Sequence, residues 1–495
     1  MKDRKAGILM PITALPSRYG VGCFSEAAYR FVDWLRDGGQ SYWQILPMGQ
    51  TGYGDSPYQA FSSYAGNPYW ISLEQMIGDG LLTEAECEQA SEETSETRVV
   101  YRILYEKRYP LLRLAYERGK ERDIAARQAF ERENREWLSD YALFMAIKES
   151  LGGIPLSEWQ ACYRLRESSA LARCREELAD EIGFWKFLQY RFYSDWYRLK
   201  RYANERGIRI IGDIPIYVSA DSADVWVSPE LFQLDERGVP LAVAGCPPDG
   251  FTPEGQLWGN PLYRWEAHRQ TGYEWWIRRL SHAFSTCDLV RIDHFRGFDE
   301  YYAIPYGAPN AVGGHWERGP GIELFEAVEQ ELGSREGIAE DLGYMTDSVR
   351  RLVAQSGFFG MKILQFGFDG DYANEYLPHR YGAATVAYPG THDNPTLQGW
   401  LATLSDSEWE TLREYLWDFH TPGDQIADVL LALLMRSPSR LCIVPLQDYL
   451  GLGDEARINR PATVGGNWSW RVGREALNGD LSHKIRRLCA LGGRL

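Results

Sequence analysis

No C-x-x-C pair, H-E-x-x-H, G-x-S-x-G or G-x-x-x-x-G-K-[ST] occurs in this chain of 495 residues. Zinc-protease, serine-hydrolase and P-loop chemistries therefore lack the local spacing each of them needs. The eight cysteines (Cys23, Cys87, Cys162, Cys174, Cys246, Cys287, Cys442 and Cys489) are scattered without a regular interval, which reads as buried free thiols. No run approaches the ~18 consecutive apolar residues of a membrane span. Positive charge is also in short supply, since 53 Lys and Arg against 69 Asp and Glu leave a formal charge of −16. That balance disfavours polyanions, so neither nucleic acid nor an anionic membrane surface is expected as a partner. The first residues set basic side chains before an apolar stretch and so mimic a secretion signal. The stretch is short and broken by Pro11, and no small-residue cleavage site follows, so it reads as a strand and the expected location is cytoplasmic. Asp369-Gly-Asp371 resembles part of a calcium loop without its other ligands and reads as a surface turn. No metal and no cofactor is expected.

Aromatic residues, by contrast, are plentiful. They reach 14% of the chain, with 18 Trp and 30 Tyr, more than packing alone usually asks for, and such rings suit the faces of sugars. Short apolar runs ending in Gly, Pro or polar clusters alternate with segments of helical periodicity. The candidate strands are Gly7–Pro11, Tyr42–Pro47, Ile208–Ile214, Leu289–Asp293, Gly337–Glu340, Met361–Phe366, Ala384–Pro389 and Leu441–Pro445. Their number fits an α/β protein built as a (β/α)8 TIM barrel. An open doubly wound sheet is the structural alternative, but no G-x-G-x-x-G follows any of these strands.

Two gaps are too long for a single crossover and imply insertions. The expected organisation is a barrel formed by residues 1–50 and 208–495, with a mostly helical insertion over 51–207 after the second strand. In that insertion Leu143, Phe144, Ile147 and Leu151 recur at helical spacing, as a core stripe would. A second insertion spans 215–287 after the third strand. It includes a Pro-, Gly- and Trp-rich loop over 245–261 of the kind that covers a site.

Four candidate strands end in acids: Asp213, Asp293, Glu340 with Asp341, and Asp393. In a barrel these converge on one mouth. Clustered carboxylates raise one another's pKa, so one can stay protonated while another stays ionised, which is the division of labour that glycoside cleavage needs. Strand alternation puts Arg291 on the face of Asp293, where its charge favours an ionised aspartate. Asp293 is therefore the expected nucleophile, Glu340 the general acid and base, and Asp393 the stabiliser of an oxocarbenium-like transition state. His294 and His392 flank these acids and could donate to sugar hydroxyls.

Seven stretches together resemble the amylomaltase, or disproportionating enzyme, family. They are Gly52-Tyr-Gly-Asp-Ser-Pro-Tyr58, Ile211-Gly-Asp-Ile-Pro-Ile-Tyr217, Gly245-Cys-Pro-Pro-Asp-Gly-Phe251, Trp258-Gly-Asn-Pro-Leu-Tyr263, Arg291-Ile-Asp-His-Phe-Arg-Gly-Phe298, Ala339-Glu-Asp-Leu-Gly343 and Gly390-Thr-His-Asp-Asn394. The resemblance implies a 4-α-glucanotransferase of the α-amylase-like superfamily, a barrel with inserted subdomains, and no C-terminal β-domain. It implies that Asp293, Glu340 and Asp393 are catalytic. Asp213, Arg291 and His392 would surround the sugar at the cleavage point, with Tyr58 stacking on it. Asp249 and Phe251 would sit in a loop over the acceptor side, with Trp258 close by; His294 and Asn394 join the substrate-binding set. The implied donors are α-1,4-glucans and maltooligosaccharides, and the acceptors glucose or glucan. An amylase-type hydrolase and a non-catalytic glucan-binding barrel are the alternatives.

Overall fold

The computed structural model describes residues 4–52, 54–248 and 252–495. Twelve strands form among the described residues: β1 (Lys5–Leu9), β2 (Tyr42–Gln44), β3 (Arg209–Ile214), β4 (Ala242–Cys246), β5 (Gln256–Pro261), β6 (Leu289–Ile292), β7 (Glu300–Pro305), β8 (His315–Arg318), β9 (Gly337–Ala339), β10 (Phe359–Ile363), β11 (Thr385–Tyr388) and β12 (Leu441–Pro445). Eight of them close a barrel in the order β1-β12-β11-β10-β9-β6-β3-β2, and the pairings are parallel. These are the eight strands expected from the apolar runs, with shifted ends. β10 spans 359–363 instead of 361–366 because Gln365 leaves the ladder: its N–H donates to Pro389 O and its amide to Pro395 O, turning Leu364–Phe366 into a 3-10 helix.

Alternation along the strands sorts the side chains into two cores. Leu9, Ile211, Leu289, Ile338, Met361, Val386 and Ile443 fill the inside of the barrel. Ile8, Ile210, Val290, Ile292, Ala339, Ala387 and Val444 face outward into the larger core shared with the helices. Each such aliphatic side chain stabilises the fold by about 1.5–3 kcal/mol. Truncating one, as in Ile211→Ala, would cost about 2–5 kcal/mol once the cavity is counted.

The segment between β2 and β3 is helical. It includes helices Glu84–Ala90, Arg135–Ser150 and Ala179–Glu205. Thr83 starts the first of these with a capping box, its hydroxyl accepting from Glu86 N while the Glu86 carboxylate accepts from Thr83 N, worth about 1 kcal/mol. The stripe Leu143, Phe144 and Ile147 is buried in Arg135–Ser150, but so is every residue from Tyr141 to Lys148, so this helix is enclosed on all sides instead of presenting one apolar face. The buried Lys148 donates to Asp221 Oδ2 at 2.6 Å and ties this helix to the loop after β3.

The two ends of the Pro- and Gly-rich stretch lie in strands β4 and β5, which pair antiparallel and extend into a four-stranded sheet of order β5-β4-β7-β8. Half of that sheet, β7 and β8, comes from the connection after β6, so two successive barrel connections build one small sheet. Beyond β12 the described residues form helices and turns and no further strand.

Candidate active site

The register of β3 and β6 makes Asp213 and Arg291 lateral partners inside the barrel. Arg291 Nη1 lies 2.8 Å and 2.7 Å from the two Asp213 oxygens, and its Nη2 lies 3.0 Å from Asp293 Oδ1. One guanidinium thus bridges two carboxylates, a geometry its planar fork suits and an ammonium could not reproduce. Burial alone would lower the Arg291 pKa; Asp213 and then Asp293 outweigh it and raise it. Tyr58 Oη donates to Asp213 Oδ2 at 2.8 Å, so the Tyr58 ring is pinned at the same mouth.

Backbone bonds lace the strand ends together. Asp293 N–H donates to Ile214 O, Glu340 N–H to Ile292 O and Phe295 N–H to Glu340 O. His294 stops β6 by taking φ +49, left-handed for a residue with a side chain, at a cost of order 1 kcal/mol. That turn aims its N–H at Glu340 Oε2, 2.6 Å away. Burial pushes both the Asp293 and the Glu340 carboxyl above the ordinary range; Arg291 opposes this in each, and further carboxylates reinforce it. Glu340 is among the groups that raise the Asp293 pKa, and the two carboxyls titrate as a pair. Because the guanidinium touches Asp293 directly and Asp293 is 27% exposed, the charge is favoured on Asp293 and the proton on Glu340.

Asp393 follows β11 and is held by neutral donors. Asn459 Nδ2 donates to its Oδ1 at 2.6 Å, and His392 Nε2 lies 3.4 Å from its Oδ2. Burial lowers the His392 pKa, with Asp393 opposing, so the imidazole is neutral at pH 7. Its ring stacks on Tyr58 with centroids 5.3 Å apart and planes at 13°. Trp468 lies beside both rings, each 5.9 Å away. Arg457 donates to Asp393 O at 2.6 Å. Arg457, Asn459 and Trp468 were not singled out from sequence. They lie in the Gly-, Asn- and Trp-rich turns after β12, and Asn467-Trp-Ser-Trp470 was the one local signal there.

The remaining expected residues divide. The Trp258 ring meets His294 edge-on at 4.8 Å, which brings the β4–β5 hairpin against the turn that follows Asp293. Burial, then Arg296, lowers the His294 pKa to about 3, so this imidazole is neutral. Asn394 is turned inward: its Oδ1 accepts from Thr391 N and Thr391 Oγ1, both at 2.9 Å, and shapes the loop carrying Asp393. Asp249 and Phe251 lie outside the described residues. Arg296 stacks on Trp316 at 3.9 Å and donates to Tyr344 O at 2.7 Å, a clamp between β8 and the loop after β9. Asp341 accepts from Met361 N at 2.6 Å and sits where a Cβ on Gly360 would clash, so it is committed to the flank of β10 and leaves Glu340 as the acid of that strand end. Among the described residues, no three His, Cys, Asp or Glu are grouped to hold a metal ion.

A sequence model described as 4-alpha-glucanotransferase matches residues 10–476. A 4-alpha-glucanotransferase of Clostridium butyricum is 43% identical over 487 residues, 98% of this chain and all of that protein. This chain belongs to the 4-alpha-glucanotransferase family. Among solved glucanotransferases, the amylomaltase from Streptococcus agalactiae in complex with acarbose superposes with a TM-score of 0.97 at 41% identity, covering 99% of both chains. The amylomaltase from Corynebacterium glutamicum, 21% identical, has the same fold with a TM-score of 0.78 over 98% of this chain and 75% of its own.

Proposed function

We propose that this chain is a 4-α-glucanotransferase that moves segments of α-1,4-glucan from a donor maltooligosaccharide to a glucan or glucose acceptor. The observation that carries the reading is the Arg291 bridge between Asp213 and Asp293, with Glu340 hydrogen-bonded to the very next residue. In the first half-reaction the Asp293 carboxylate attacks the anomeric carbon while Glu340 gives its proton to the departing glycosidic oxygen. The new bond is an ester between Asp293 and the glycosyl unit. In the second, the Glu340 carboxylate takes the proton of an acceptor hydroxyl, which displaces Asp293 and restores the α-linkage. Asp393 holds sugar hydroxyls, Asp213 acts from behind by anchoring Arg291 and Tyr58, His392 donates as a neutral imidazole, and Tyr58 offers a ring face to the sugar at the cleavage point. His294, neutral and packed on Trp258, completes the set.

Transfer and hydrolysis differ only in what attacks the intermediate. Positioning an acceptor hydroxyl is worth roughly 7–11 kcal/mol, enough to beat abundant water. The β4–β5 hairpin, whose Trp258 packs on His294, is suited to hold an acceptor and exclude water. We assign residues 51–207 and 215–287 as inserted units over the barrel of 1–50 and 208–495. A cytoplasmic setting accords with eight cysteines that form no disulfide among the described residues, six of them buried, and no helix among the described residues is long and apolar enough to cross a membrane.

Incubation with maltotriose tests the reading. Glucose plus a ladder of longer oligomers, with total reducing ends constant, is the expected product profile. Steadily rising reducing ends would make the chain a hydrolase, and an unchanged profile would leave only a binding protein.

A further inference from the structure

The connection that carries Asp393 continues into a surface feature that neither the barrel nor the carboxylates require. Trp417 is 83% exposed and Phe419 is 56% exposed, with ring centroids 5.8 Å apart and planes at 76°. Trp417 closes helix Asp406–Leu416 at φ +52, a left-handed position where glycine is the least costly residue. A large aromatic ring held in solvent by strained backbone is a poor choice for folding alone.

The rings are also fixed. Trp417 N–H donates to Arg413 O and Glu414 O. The Asp418 carboxylate accepts from His420 N, Thr421 N and Thr421 Oγ1, and Arg413 Nη1 donates to Asp418 O. Tyr372, 54% exposed, reaches the same helix by donating from its hydroxyl to Glu414 Oε2 at 2.9 Å. Gln398 Nε2 donates to Asp424 O at 2.9 Å, which ties this turn to helix Leu397–Leu401, directly after the Asp393 loop.

Pre-ordered ring faces flanked by the carboxylates of Glu414 and Asp418 suit a neutral, hydroxyl-rich ligand, because pyranose faces stack on aromatic rings and hydroxyls donate to carboxylates. The same acids oppose a polyanion. We propose that Trp417, Phe419 and Tyr372 form a platform that holds an α-1,4-glucan chain outside the barrel mouth. This rests on the glucanotransferase reading. Its consequence is confined to long donors: a chain held at the platform raises its own effective concentration at Asp293, while a trisaccharide gains nothing.

The test compares the parent with Trp417→Gly/Phe419→Ala. Retardation in a gel cast with soluble starch is expected to be lost. KM for amylose should rise about fivefold or more, with KM and kcat for maltotriose unchanged and the melting temperature no lower, since glycine relieves the backbone at 417. Unchanged retardation and unchanged amylose KM would overturn the proposal. So would equal losses on amylose and maltotriose, which would mark a structural role. A change in oligomeric state by sedimentation with unaltered amylose kinetics would also overturn it, making the patch a protein contact. If the parent fails to disproportionate maltotriose, the transferase reading falls, while the starch-gel comparison still reports on the platform.

Discussion

The ends of β6 and β11 carry the same residue type at equivalent places in one barrel and hold it in different ways. Asp293 has a guanidinium 3.0 Å from one oxygen, and that guanidinium is anchored by two bonds to the buried Asp213. Asp393 has an amide at 2.6 Å and a neutral imidazole at 3.4 Å, and its side chain is 41% exposed. A cation favours the ionised form of a group and fixes its position; neutral donors fix the position and leave the second oxygen for a ligand. On the roles proposed above, the difference teaches that a nucleophile and a hydroxyl-binding acid are built from identical residues by changing only what stands behind them.

The harshest way to break this contrast is to remove the cation-held member. Asp293→Ala should lower transfer by about 10⁴-fold or more, since nothing replaces the nucleophile. The fold should survive, because the side chain is partly exposed; oligosaccharide ladders and a thermal melt would check both, and appreciable residual transfer would reassign the role.

Next in size is the proton. Glu340→Gln should lower kcat on maltotriose by roughly 10²–10⁴-fold, but spare the first half-reaction of a glucosyl donor whose leaving group needs no protonation. Because Glu340 must be protonated at the first step and burial raises its pKa, activity should persist above the usual glutamate range and fall as pH rises through the raised value. A pH–rate profile whose alkaline limb sits near ~4.3, the ordinary value, would contradict this.

Arg291→Lys asks whether the fork or merely the charge matters. Loss of one of its two carboxylate contacts predicts about a 100-fold fall in kcat and about 2 kcal/mol of stability, read from kinetics and denaturant unfolding. The smallest effect belongs to the other strand end. Asn459→Ala frees Asp393 Oδ1 without moving a charge and should cost roughly 3- to 10-fold, mainly in KM; a loss as large as that of Arg291→Lys would erase the distinction between the two ends.

Much of this was legible in the sequence for a local reason. A short apolar run that stops at Gly, Pro or a polar cluster reports a strand, and four such runs stop at an acid, so the eight barrel strands, Arg291 and the four acids could be read from short stretches. Arg457, Asn459 and Trp468 could not, since they reach Asp393, Tyr58 and His392 through turns that carry no periodicity. Asn394 entered the substrate-binding set through the resemblance alone, and only the fold reveals that Thr391 N and Oγ1 donate to its Oδ1. The sheet shared by β4, β5, β7 and β8 joins the connections on either side of β6, a pairing that neither segment announces. Arg296, three residues past Asp293, clamps Trp316 of β8 to the loop after β9.

The most direct test of the account is to catch the ester. Glu340→Gln incubated with an activated glucosyl donor should accumulate a covalent glucosyl adduct, and peptide mass spectrometry should locate it on Asp293. An adduct on Asp393, or none at all while the variant still releases the leaving group, would contradict the assignment of Asp293 as the nucleophile.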